Sequence, residues 1–196
     1  MEYIMSAFGL IRGFRSSDST AQPLRLDKAT NTIQTIDYAH HEIHAGSHFA
    51  IVDSVTLAIN NTRDIRITTP DTTKWAHLTF SLSASSEIEV YLYEGVTIVT
   101  AGSAITPYNK DRNSATASTL TADYIDNTSV ANANSDTTVS GYIDHAIIGS
   151  GKNAGFSTRE EEVILDQNKI YSFRFIANAA GYINYKLMWY EHTNIA

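Results

Sequence analysis

The sequence has no cysteine among its 196 residues, so disulfides, thiolate metal sites and cysteine nucleophiles are all excluded. It has no cluster of lysine or arginine. With 14 basic against 21 acidic residues and a formal net charge of −7, it lacks the basic patch a nucleic-acid binder displays. No run comes near the roughly 20 apolar residues that a membrane span requires, so no membrane partner is expected. The opening MEYIMSAFGLIRGFR is not expected to act as a secretion signal. Glu2 stands where a basic region belongs, and Gly9, Arg12, Gly13 and Arg15 interrupt the apolar stretch.

Charge is sparse overall, at 18% of residues against 43% hydrophobic, and tyrosine is frequent at 11 copies. That balance suits strands with weakly charged, hydroxyl-bearing surfaces. Alternation with period two dominates. In 75–82, Ala76, Leu78, Phe80 and Leu82 share one face, while Trp75, His77, Thr79 and Ser81 share the other. In 87–93, Ile88, Val90 and Leu92 oppose Glu87, Glu89, Tyr91 and Tyr93. Residues 170–177 align Tyr171, Phe173 and Phe175, and 182–190 align Ile183, Tyr185, Leu187 and Trp189. Turn residues at 84–86 and 178–181 predict that these four segments form two hairpins. Further strands are expected at 49–58, 64–69, 142–148 and 161–165, with shorter ones between 33 and 43.

About eight strands with turn-rich spacers predict an all-β fold, a two-sheet, jelly-roll-like sandwich. Residues 1–30 read as an extended N-terminal arm and linker. Residues 31–196 read as the sandwich, with a long loop near 100–140 of the kind that is unusual and often functional.

Sites for chemistry are sparse. His40, His44 and His48 would line one face of a helix and suit zinc, but Gly46 interrupts that helix and the flanking residues favour a strand. His41-Glu42-Ile43-His44 lacks the HExxH spacing; on a strand His40, Glu42 and His44 would share a face open to a surface metal, but a solvated edge is the reading and no metal is expected. Of Glu160, Glu161 and Glu162, only the first and third share a strand face, and nothing pairs them across a sugar cleft. Gly149-Ser150-Gly151-Lys152 falls short of a phosphate loop, and no serine sits in a nucleophile elbow. Asp123, Asp126 and Asp136 miss the EF-hand pattern. No catalytic residue, no cofactor and no enzymatic activity are expected.

Residues 41–49, with the pattern H-x-I-H-x-G-x-x-F, resemble a landmark of small β-rich virion proteins of tailed phages. Thr69-Pro70-Asp71-Thr72-Thr73-Lys74-Trp75-Ala76-His77, Tyr91-Leu92-Tyr93-Glu94-Gly95, residues 107–114 and Trp189-Tyr190-Glu191-His192-Thr193 continue the likeness in order, over roughly residues 37 to 193. The resemblance implies a non-enzymatic structural protein of the virion. Within that class, a capsid decoration (cement) protein on the outside of the phage head is the expectation. Its partners would be the major capsid protein and further copies of itself as a trimer. Expected interface residues are Tyr3, Phe8, Ile11, Phe14 and Arg15 in the arm, and Tyr108, Asn109 and Arg112 in the loop. The alternative is a tail-fibre or tail-tip module that binds host surface glycan.

Overall fold

The computed structural model describes residues 12–14, 21–23, 38–128, 141–149, 153–156 and 162–193. The chain divides into two compact units, Met1–Tyr38 and Ala39–Ala196. In the first, β1 (Arg12–Phe14) and β2 (Ala21–Pro23) pair antiparallel, with Gly13 opposite Gln22. Among the described residues one helix comes next in sequence, α1 (Tyr38–His44). The strands that follow are β3 (His48–Leu57), β4 (Thr62–Thr68), β5 (Lys74–Ala84) and β6 (Ile88–Glu94). Short strands come next: β7 (Ser103–Ile105), β8 (Tyr108–Asn109) and β9 (Thr121–Asn127). The last are β10 (Asp144–Ile148), β11 (Asn153–Phe156), β12 (Val163–Leu165), β13 (Ile170–Ala177) and β14 (Gly181–Thr193).

These strands form an all-β, two-sheet sandwich. The first sheet runs β10-β6-β13-β4-β9-β7. The second runs β11-β5-β14-β3-β8, with β12 also on β5. Eight of the strands pair in nested fashion: β3 with β14, β4 with β13, β5 with β12, and β6 with β10. Successive strands of this set alternate between the sheets, apart from the innermost pair, and that nesting is a jelly roll. The segment between β6 and β10 widens both sheets, placing β9 beside β4 and β8 beside β3. The stretch expected to be a loop near 100–140 therefore supplies three short strands, while residues 129–140 lie outside the described ones.

Period-two alternation fixes the core. Even residues 76–84 of β5 and 88–92 of β6, and odd residues 171–177 of β13 and 183–191 of β14, are buried. Phe80 meets Phe173 edge-on with ring centroids 5.1 Å apart, and Phe175 meets Tyr185 at 5.3 Å. Burying aromatics of this size contributes several kcal/mol each, on the order of what their truncation costs.

Three expectations are corrected. The two hairpins do not form: β5 and β6 belong to different sheets, as do β13 and β14, so 84–86 and 178–181 carry the chain across the sandwich. Residues 38–44 are helical, not strands. Gly46 does not break that helix internally but ends it, at φ 70°, where the left-handed backbone suits glycine. A side chain there would also strike Ser114 Oγ, 2.5 Å from the Cβ position.

Candidate functional site

All five motif segments assemble at one end of the sandwich, where β3, β5 and β13 begin and β4, β6, β12 and β14 end. Buried Glu191 is the hub. Its carboxylate accepts bonds from Ser118 Oγ (2.6 Å), Thr119 Oγ1 (2.6 Å) and Trp189 Nε1 (3.0 Å), and from the Thr119 backbone N–H. Its own N–H donates to Ser47 O. Asn109 ties the same end from the other side, donating to Gly46 O (2.7 Å) and Thr116 O (3.0 Å) and accepting from Asp111 N–H (2.9 Å). The Ser47 hydroxyl bonds the Glu42 carboxylate. A carboxylate and an amide with all these partners turn irregular loop into rigid surface.

Outward from this frame stand other motif residues. Across the outer face of the second sheet, His77, Tyr190 and His48 occupy one rung. His77 Nδ1 lies 2.5 Å from Glu162 Oε1, and Tyr190 O–H donates to the same oxygen at 2.8 Å. His77 Nε2 meets His192 Nε2 at 2.7 Å, and His192 Nδ1 meets Thr193 O at 2.8 Å. Since a carbonyl only accepts, the contact with Thr193 O suits the His192 tautomer that carries its hydrogen on Nδ1. His48 is buried, with its Nδ1 unpartnered. Burial first, then the nearby Lys110 ammonium, lowers its pKa to about 4.

On the first sheet, Tyr91, Tyr93, Tyr142 and His145 form an aromatic group. Tyr91 stacks on His145 at 4.3 Å, and Tyr142 meets Tyr91 edge-on at 5.2 Å. Glu89 accepts from Tyr91 O–H (2.8 Å) and Asn178 Nδ2 (3.0 Å). The bonds from Asn178 and then Tyr91 hold its carboxylate below the usual range. The neighbouring strands carry two cross-strand ion pairs, Arg174–Asp64, buried at both ends, and Arg66–Asp123, in which the arginine is buried and the carboxylate half-buried. Alternation would have placed all four outward and wet, and nothing local in the sequence marks Asp64, Arg66 and Arg174 as buried.

The expected interface residues separate. Tyr3, Phe8, Ile11 and Arg15 lie outside the described residues, and Phe14 ends β1. Tyr108 is exposed, with the Arg112 guanidinium 5.8 Å from its ring centroid. Asn109 is buried and committed to the fold. Among the other candidates, His40 and His44 sit one helical turn apart with Nε2 atoms 3.0 Å from each other. Asp123 and Asp126 pair with Arg66 and Arg63. Among the described residues, no group of three or more histidines, aspartates or glutamates is arranged to hold a metal ion. Glu160, Glu161, Asp136 and Ser150 lie outside the described residues. The one signal pointing to Glu191 is its place in the ending Trp-Tyr-Glu-His-Thr. Compared with protein-family models and with curated proteins, the chain matches none.

Proposed function

We propose that the chain is a structural protein of a tailed-phage virion, a capsid decoration protein that binds the outside of the head and stabilises it. The observation that supports this reading is the meeting of the five motif segments, scattered over some 150 positions, in one rigid end of a jelly roll. Glu191, Asn109 and Gly46 build that end, and Tyr108, Arg112, Trp75 and His192 are presented from it. A stiff surface binds a partner with little ordering cost. Many copies on a symmetric shell multiply a modest contact energy through avidity. The partners in this reading are the major capsid protein and further copies of the chain, as a trimer, while the arm residues Tyr3, Phe8, Ile11, Phe14 and Arg15 reach a neighbouring surface.

The test is the copy number of the protein in purified virions, by quantitative mass spectrometry against the major capsid protein. A ratio approaching that of the capsid protein is expected, and a handful of copies per particle would move the protein to the tail. A second reading, a tail module that binds host glycan, is favoured by the aromatic group around exposed Tyr142. It requires that host polysaccharide binding be lost in Tyr142→Ala.

A further inference from the structure

His77 and His192 meet on the outer face of the second sheet. His77 lies on β5 directly across from Tyr190, and His192 follows two residues later on the same side of β14. Their Nε2 atoms are 2.7 Å apart and their ring centroids 4.5 Å apart. Both rings are held from behind. Glu162 Oε1 lies 2.5 Å from His77 Nδ1, and Thr193 O lies 2.8 Å from His192 Nδ1. The His77 ring also stacks on Tyr190, with centroids 4.6 Å apart and planes 14° from parallel. Tyr190 donates its hydroxyl to Glu162, so carboxylate and imidazole are fixed together. The His77 and Glu162 side chains are only 12% and 13% exposed, which shields these bonds from water.

A carboxylate and a carbonyl only accept, so these contacts suit the tautomers with hydrogen on Nδ1 of each ring. In that state each Nε2 turns a lone pair towards the other, and the two repel unless a cation stands between them. A proton is one such cation and a metal ion is the other, and their geometries differ. A shared proton favours a straight line, which at this separation would set the ring centroids about 5 Å apart. Two imidazoles bound cis to one metal at about 2.0 Å have nitrogens about 2.8 Å and centroids about 4.5 Å apart. The observed separations match the metal. A tetrahedral ion would need the nitrogens about 3.3 Å apart, so a square-planar or tetragonal one fits better. A carboxylate or backbone carbonyl on the far nitrogen is also the support that metal-binding histidines use.

We propose that His77 and His192 bind a late divalent transition metal, Cu(II) above all, through their Nε2 atoms, with Glu162 and Thr193 O as the supports behind them. Cu(II) takes cis imidazoles in a square plane and heads the affinity order for nitrogen sites. Glu162 contacts the far nitrogen of His77, so it is a positioning residue and not a ligand. Two protein ligands and water make up the site, which is compatible with the absence of any ligand group of three among the described residues. The site does not depend on the decoration reading.

The experiment uses the full chain, without a histidine tag, and Cu(II) as the probe. Equilibrium dialysis is expected to show Cu(II) held by the wild type, with a tetragonal electron paramagnetic resonance signal split by two nitrogens. His77→Asn and His192→Asn are each expected to weaken binding about 100-fold or more, with unchanged circular dichroism. Glu162→Gln is expected to keep the two-nitrogen signal and weaken binding about tenfold, as loss of such a support does. His40→Gln with His44→Gln removes the pair on α1 and is expected to leave binding and signal in place. A wild type that holds no Cu(II) would overturn the metal and leave the two nitrogens sharing a proton. Binding that survives both asparagine variants, or that is lost with the α1 pair alone, would also overturn the site. An unchanged affinity in Glu162→Gln would overturn its role as support. Should either asparagine unfold the chain, the double glutamine variant decides: two nitrogens in its signal support the site, and fewer oppose it.

Discussion

His48 combines burial, an unpartnered Nδ1 and two nearby lysines, and its pKa of about 4 lies below the ordinary value of 6.5. The unfolded chain therefore takes up this proton at a higher pH than the folded one. Stability is whole above about pH 6.5 and falls as pH drops towards 4, because the unfolded state binds more protons in that window. Allowing for solvent screening, the loss is on the order of 2 kcal/mol. His48→Gln cannot take up the proton, so urea unfolding at pH 7 and pH 4.5 should show a smaller loss in the variant than in the wild type. Equal losses would exclude His48 as the source. At this scale the sequence is least informative. Arg174 and Ser172 alternate with core aromatics as solvent-facing residues do, yet both are buried. The reason is that Arg174 meets Asp64 across β4, 110 positions away. A cross-strand partner so distant leaves no mark on either residue's neighbours.

Residues 107–120 owe their form to contacts from outside the segment. Glu191 on β14 receives Ser118 and Thr119, and Asn109 binds back to Gly46. Glu191→Ala would leave the Trp189 indole N–H and the Thr119 N–H without this acceptor, at a cost of about 3 kcal/mol. A fall in thermal unfolding temperature is expected, with faster amide exchange concentrated at 116–120. Exchange that rises evenly over the whole sandwich would argue against the anchoring role. Element identity was legible wherever alternation ran for seven residues or more, as in β5, β6, β13 and β14. It failed at α1, a seven-residue helix too short to display a repeating apolar stripe. It failed also in the pairing of strands, because turn residues at 84–86 serve a crossing between sheets as readily as a hairpin. Gly181 shows the difference. A Cβ there would run into Ser86 Oγ, so the two crossings pack against each other at the same end of the sandwich.

Within the sandwich, no described strand pairs with its immediate neighbour in sequence. Alternation tells which face of a strand is wet, so the two-sheet class was legible. Nesting depends on contacts between distant segments, so the strand order was not. Folding dominated by such distant pairings is slow, in the range of about milliseconds to seconds. In a Trp75→Phe variant, buried Trp189 on β14 reports closure of the second sheet. Its fluorescence and the far-ultraviolet circular dichroism are expected to recover together on refolding, and a Trp189 signal that runs ahead of the dichroism would contradict the nested order. The lane between β3 and β5 is filled by β14 alone, and Asp53 and Tyr185, which bond across it, stand 132 positions apart. On a ribosome adding about 5–20 residues per second, β3 emerges on the order of ten seconds before its partner exists. Through that interval residues 48–57 and 74–84 are without the strand that pairs with both, and are open to any stray peptide of similar character. Yield in a cell therefore depends on how fast this message is translated and on how well chaperones shield the chain until the last strand arrives.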